Sequence, residues 1–190
     1  MKIIVAIIGK AGSGKDTIQN ELCKRNPEYH GIVSCTTRPI REGEMDGVNY
    51  FYLTKDEFAK KVYNGDMLEA TVFNDWCYGT MKSSLHDGVN VGVFNPEGYD
   101  NLCSTLPDDV KVVGFFIDVN DKTRLLRQLN REEHPDVHEI VRRFGTDEAD
   151  FEGLLEDFPE LYVLNNETQD DLLVNLVVIQ NVVNCLAERV

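Results

Sequence analysis

Gly9-Lys10-Ala11-Gly12-Ser13-Gly14-Lys15 is the stretch on which the fold turns. It follows the apolar, β-branched run Ile3–Ile8 directly and opens onto Lys15–Arg25, whose composition suits a helix. Strand, glycine-rich turn and helix in that order is the context in which G-x-x-x-x-G-K acquires meaning. The glycines let successive backbone N–H groups turn inward around a phosphate, the helix N-terminus adds its positive dipole end, and Lys15 sets an ammonium on the outer phosphates. Gly9, Lys10, Ala11, Gly12, Ser13, Gly14 and Lys15 are therefore expected to cradle a nucleoside triphosphate. Asp16 follows the lysine where a magnesium-binding serine or threonine is common, and Thr17 comes one place later. Both are candidates for the shell of an Mg2+ carried in on the phosphates.

Outward from this loop, strand-like apolar runs recur at Gly31–Ser34, Asn90–Phe94, Val110–Val119 and Leu161–Leu164. Between and after them, Asp121–Asn130, Val137–Asp150 and Gln169–Arg189 read as helices. That alternation predicts an α/β fold, a parallel sheet flanked by helices. One segment breaks the pattern: Gly47–Leu53, Met67–Phe73 and Trp76–Gly79 read as short strands around a helix at Lys55–Asn64, which Thr54 and Glu57 open as a capping box. The chain is thus expected to be one unit, with a core at 1–35, 82–120 and 151–190, a small α+β insert at 36–81, and a helical lid at about 121–150.

A net charge of −14 argues against broad binding to nucleic acid or anionic membrane, both of which need a positive surface. No uninterrupted apolar run approaches the roughly 20 residues that cross a bilayer, so membrane spanning is not expected. Cys23, Cys35, Cys77, Cys103 and Cys185 are scattered with no Cys-x-x-Cys pair, which points to reduced thiols in a cytoplasm. None of the four histidines has a ligand partner at metal-binding spacing. Trp76 and the phenylalanines read as core rather than as base-stacking platforms.

The second dense patch is Ser34-Cys35-Thr36-Thr37-Arg38-Pro39-Ile40-Arg41-Glu42-Gly43-Glu44-Met45-Asp46-Gly47-Val48-Asn49-Tyr50-Phe51. Arg38 and Arg41 can bracket one phosphate, and Tyr50 adds a hydroxyl donor, which makes a second anion site. The patch meets the S-x-T-T-R-x-x-R-x-x-E-x-x-G-x-x-Y pattern of guanylate kinases. Together with Gly65-Asp66-Met67-Leu68-Glu69, Tyr78-Gly79-Thr80 and the phosphate loop, the resemblance covers most of the first 82 residues. It implies a P-loop kinase that uses ATP and Mg2+ to phosphorylate GMP or dGMP. Carried over by position, Arg38, Arg41, Tyr50 and Tyr78 would hold the GMP phosphate, while Ser34, Glu69 and Thr80 would read guanine. A buried carboxylate at 69 suits the guanine N1 and N2 hydrogens and would be left unpaired by adenine.

Arg124, Arg127 and Arg131 fall at helical spacings, and Arg142 and Arg143 follow within the next predicted helix. The family's lid has two arginines four apart and a third eleven residues on. Arg127, Arg131 and Arg142 match that spacing and would stabilise the transferring phosphoryl beside Lys15, with Arg143 the alternative for the third. Asn165-Asn166 resembles the segment beside the ATP adenine, with Asn165 as the expected contact. The sequence departs from the family at Val93-Phe94-Asn95-Pro96-Glu97-Gly98, where an Asp-x-Asp pair is usual; Asn95 and Glu97 are the candidates to replace it. Lys15-Asp16-Thr17 is similar to loops of other monophosphate kinases, including phage-type deoxynucleotide kinases. A broader deoxynucleoside monophosphate kinase and a guanylate-kinase-like interaction module without catalysis are the alternatives.

Overall fold

The computed structural model describes residues 2–41, 43–73, 75–107, 109–131 and 133–188. Five parallel strands form the main sheet: β1 (Lys2–Ile8), β2 (His30–Gly31), β7 (Gly88–Phe94), β8 (Val110–Asp118) and β9 (Tyr162–Asn165), in the order β2-β7-β1-β8-β9. The central strand is apolar throughout because both of its faces are covered. Val5 and Ile7 point toward α1 (Lys15–Arg25) and α7 (Gln169–Glu188), packing on Ile18, Leu22, Leu172, Leu176 and Ile179. Ile4, Ala6 and Ile8 point the other way, toward Tyr99 and Leu102 of α3 (Pro96–Thr105) and Leu154 of α6 (Leu154–Asp157).

A second sheet, β4-β3-β6-β5, is built from β3 (Cys35–Thr36), β4 (Phe51–Tyr52), β5 (Met67–Phe73) and β6 (Trp76–Met81), with α2 (Lys55–Tyr63) on it. Phe58 of α2, Cys35 and Met67 form its own small core. Thr54 opens α2 as a capping box with Glu57, as the spacing predicts. Two helices, α4 (Asp121–Leu129) and α5 (Val137–Asp150), carry the arginine-rich segment.

Several sequence expectations change. The single strand expected over Gly31–Ser34 is two, because the chain leaves the main sheet after Ile32, whose N–H still donates to Val91 O, and enters the second sheet at Cys35. Gly47–Leu53 shrinks to Phe51–Tyr52, since Val48 N–H and Asn49 N–H turn back onto Met45 O and Gly47 adopts φ +73°. Helix α3 is an addition to the expected elements, although Asn95 as cap and Pro96 at the first helical position are a start signal. Trp76 is half-buried rather than core, with the Lys55 ammonium 5.9 Å over its ring. Arg189, the expected last residue of the final helix, lies outside the described residues.

Helix α7 has the length and apolarity to cross a bilayer although no unbroken apolar run reveals it. It buries Leu172, Leu176, Ile179 and Val183 against the sheet together with Asn175, the stripe of a core helix.

Candidate functional site

The parts of the site follow the carboxyl ends of the main-sheet strands, the edge where open α/β sheets bind ligands. The first is the phosphate loop. Gly12 and Gly14 sit at φ +81° and +94°, where a Cβ would strike the Arg124 carbonyl oxygen at 2.6 Å and the Asn166 amide nitrogen at 2.7 Å. Only glycine lets the chain bend there and be approached so closely. Helix α1 begins at Gly14 without a side-chain cap, so its first-turn N–H groups stay open for an anion. Lys15 is half-buried, donates from Nζ to Lys10 O at 3.0 Å, and burial lowers its pKa from the ordinary lysine value. Asp16 and Thr17 are exposed on the first turn.

Beside the loop, the Asn166 amide donates to Ser13 O at 2.8 Å, and the Arg127 guanidinium donates to Asn166 O at 2.8 Å and Glu167 O at 3.0 Å. Weaker bonds from Arg127 reach Gly12 O and Ser13 O. Arg127, Asn166 and Glu167, with Gly14, Thr17, Thr168, Gln169 and Leu172, line an open depression. Asn165 is the contact expected here, but its side chain accepts from Glu167 N–H and is exposed; the buried Asn166 faces the loop instead. The alternating exposure of a strand end explains the exchange.

The second sheet assembles the acceptor residues. Arg38, 6% exposed, donates from Nη2 to both Glu44 oxygens at 2.8 and 2.9 Å, and from Nη1 to Pro39 O at 2.8 Å. Glu44 also accepts from the Arg41 N–H and the Tyr52 hydroxyl. Burial works against this carboxylate, yet those bonds outweigh it and hold its pKa down at about 2. Arg41 stands in the opposite condition: burial and the neighbouring Arg38 charge lower its pKa, and the charges of Glu44 and Glu139 offset this only in part. Tyr50 packs edge-on to Tyr52 and Tyr78 with ring centroids 6.0 Å apart, under the Arg38 guanidinium. Burial first, then the Asp16 charge, raise its hydroxyl pKa, so Tyr50 and the first turn of α1 lie within electrostatic reach of one another.

Glu69 and Thr80 lie opposite each other in the β5–β6 pair. Thr80 favours the charged form of the Glu69 carboxylate from across the strand pair, and Ser34 Oγ is 3.5 Å from Thr80 Oγ1. Glu69 is 7% exposed, and burial pushes its pKa up to about 7 against the effect of Thr80. Glu97 adds a like charge, and its carboxylate accepts from Thr71. Asn95 is taken up as the cap of α3, its Oδ1 accepting from Gly98 N–H at 2.8 Å.

The lid arginines do not share one face with common partners. Arg124, 1% exposed, is bound to Asp121, Asp147 and Glu148 and stacks over Phe144 at 4.6 Å. Arg127 holds the loop carbonyls described above. Arg131 lies past the end of α4 and is exposed. Arg142 and Arg143 both bind Glu139, and Glu139 feels the charge of Arg41 across from α5. Asp147, which sequence reasoning missed, accepts from the Ala11 N–H at 2.6 Å. No spacing rule connects two residues so far apart in the chain.

Comparison with known proteins follows the same outline. A family model described as guanylate kinase matches residues 1–180. The guanylate kinase of Chlorobium luteolum is 35% identical over 115 residues, 58% of this chain and 58% of that one. That of Carboxydothermus hydrogenoformans is 31% identical over 145 residues, 73% of this chain and 69% of that one. That of Clostridium perfringens strain ATCC 13124 is 44% identical over 94 residues, 47% and 43% of the two chains. The chain spans about half the length of the first curated relatives it matches. The crystal structure of guanylate kinase from Anaplasma phagocytophilum superposes with a TM-score of 0.67 over 97% of this chain and 85% of that one, at 19% identity, which is a likeness of fold.

Proposed function

Because the chain belongs to the guanylate kinase family, we propose that it transfers the γ-phosphoryl group of ATP to GMP or dGMP. The observation that carries this reading is the pairing of a buried Glu69, opposite Thr80 with Ser34 beside that threonine, with an arginine-lined anion site on the same small sheet. Residues 36–81 act as the acceptor-binding insert, residues 121–150 as the lid, and the remainder as the core.

In this reading the ATP phosphates lie on Gly9, Lys10, Ala11, Gly12, Ser13, Gly14, Lys15, Asp16 and Thr17. The adenine lies in the depression beside Asn165 and Asn166. The phosphate of GMP is held by Arg38, Arg41, Tyr50 and Tyr78. Glu44 fixes Arg38 in place, and a phosphate would offset the burial and the Arg38 charge that weigh on Arg41. Glu69, Ser34 and Thr80 read the base. A carboxylate acceptor matches the guanine N–H edge and leaves adenine unsatisfied, a difference of about 1–3 kcal/mol.

Phosphoryl transfer needs two nucleotides held in line with the charge on the moving group stabilised, and no general base is required. Lys15 and the arginines Arg127, Arg131 and Arg142 supply that charge as the lid closes. Among the described residues no group of three or more acidic, histidine or cysteine ligands is built to hold a metal by itself. The oxygens of Asp16 and Thr17 on the exposed first turn of α1 suit an Mg2+ that enters on the ATP phosphates and keeps several waters. Bound there, Mg2+ would neutralise phosphate charge. The free thiols of all five cysteines support a reducing, cytoplasmic setting.

A coupled assay with ATP and Mg2+ across GMP, dGMP, AMP, CMP and dTMP tests the proposal. GMP and dGMP should be the preferred acceptors. Equal rates with dTMP or CMP would refute the role of Glu69, and no turnover with any acceptor would return the chain to a binding module.

A further inference from the structure

A single peptide unit of the phosphate loop is held from both sides by charged groups. The Lys10 carbonyl accepts from the Lys15 ammonium at 3.0 Å and from the Ser13 N–H at 3.2 Å. The N–H of the same unit, that of Ala11, donates to Asp147 Oδ2 at 2.6 Å. A trans peptide points its N–H and C=O in opposite directions, so Asp147 and Lys15 lie on either side of one rigid plane. Asp147 is 5% exposed and is fixed in turn by Arg124, whose Nη1 is 3.4 Å away. The Arg124 carbonyl closes on Gly12, the next residue of the loop, and Glu148 binds the Lys10 ammonium at 2.7 Å. Helices α4 and α5 therefore hold the loop on the side away from Lys15.

We propose that Asp147 is a positioning residue for Lys15: by fixing the Lys10–Ala11 peptide, it aims the carbonyl that holds the lysine's ammonium in place. The inference rests on the reading of Gly9–Lys15 as the ATP site and needs no contact between Asp147 and a nucleotide. Two effects follow from the geometry. The charge-assisted bond keeps the peptide from rotating, which would swing the Lys10 oxygen away from Lys15. It also polarises the peptide, since hydrogen bonds in series strengthen one another where the dielectric is low, and so makes that oxygen a better acceptor. An ammonium has three donors; the one on Lys10 O sets its place and leaves two for phosphate oxygens. Asp147 also lies within electrostatic reach of Lys15, as do Asp16 of α1 and Arg124 of α4. A lysine loosened from this carbonyl would still meet the triphosphate but would be misplaced for the moving phosphoryl group, so turnover suffers more than binding.

Steady-state kinetics of the full chain with ATP·Mg2+ and GMP, in the wild-type and Lys15→Ala backgrounds, test this. Asp147→Ala should lower kcat about tenfold, the scale of one hydrogen bond to a charged group, with KM for ATP and for GMP within about threefold. Added to Lys15→Ala, it should lower kcat by less than about twofold more, because a residue that acts through Lys15 then has nothing to position. A merely structural role would bring the same loss in both backgrounds; that result overturns the proposal, as does an unchanged kcat in the single variant. Asp150→Asn removes an equal charge from α5, with no bond to the loop among the described residues, and should leave kcat within about twofold. A loss there equal to that of Asp147→Ala would assign the effect to the charge of the helix and overturn the proposal. Should Asp147→Ala fail to fold, Asp147→Asn keeps an oxygen for the Ala11 N–H without the charge, and the same cycle expects a loss of about threefold that vanishes beside Lys15→Ala. No loss, or a loss that persists there, overturns the proposal. Near-normal turnover by Lys15→Ala alone would instead sink the reading of the loop, whereas slow turnover there with an additive effect of Asp147 sinks only the positioning role.

Discussion

Replacing Glu69 by glutamine should make the protein more stable and a poorer binder of GMP. Burial lifts the carboxyl from its ordinary value near 4.5 to about 7. The folded protein therefore holds the proton more tightly than the unfolded chain, and stability falls as pH rises from about 4.5 to about 7, then levels off. At about 1.4 kcal/mol for each pH unit between the two values, the ionised carboxylate costs the fold about 3 kcal/mol at pH 8 and under about 1 kcal/mol at pH 5. Glutamine is nearly isosteric, keeps an acceptor oxygen opposite Thr80 and has no charge to bury. The Glu69→Gln variant should thus gain about 2–3 kcal/mol in urea denaturation at pH 8 and much less at pH 5. The same substitution removes the charged acceptor for guanine, so KM for GMP should rise roughly 10- to 100-fold with little change for ATP. An equal gain in stability at both pH values would refute desolvation of the charge as the cause. An unchanged preference for GMP over AMP would refute its role in reading the base.

Lys15→Ala should lower turnover by on the order of 10²- to 10³-fold while the thermal midpoint stays within a few degrees, since a desolvated lysine adds little to the fold; near-normal turnover would remove the loop from the mechanism. Arg124→Ala should destabilise by roughly 3–5 kcal/mol, because it removes the buried cation shared by Asp121, Asp147 and Glu148. Thermal unfolding reads this directly. Arg124→Lys should not restore the loss, since one ammonium cannot reach three carboxylates as the guanidinium does; a full rescue would show that only the net charge matters.

The phosphate loop and the main sheet are legible in the amino-acid sequence because their signals are local. Positive φ at Gly12 and Gly14, the open N-terminus of α1 and the lysine beside it are contiguous in the chain, and a strand buried on both faces is a continuous apolar run. The capping box of α2 is local in the same way. The acceptor patch is legible as a string of residues, but its geometry is not. Arg38 and Arg41 look alike in the sequence, yet folding gives the Glu44 carboxylate to the guanidinium of the first and only to the backbone N–H of the second.

The lid shows the limit most clearly. Helical spacing places arginines on a face but says nothing of what that face meets. Arg124 and Arg127 belong to one stripe, and the tertiary structure buries the first among three acids and sets the second on the carbonyls of Ser13, Asn166 and Glu167. The exchange of Asn165 for Asn166 has the same origin, since one residue along a strand end reverses the direction of the side chain. Sequence alone determined that a glycine-rich loop ending in a lysine sits at the end of a buried parallel strand. Only the fold decided that Asp147, 136 residues away, accepts from the Ala11 N–H of that loop, because burial and choice of partner are set by neighbours that the chain brings together from a distance.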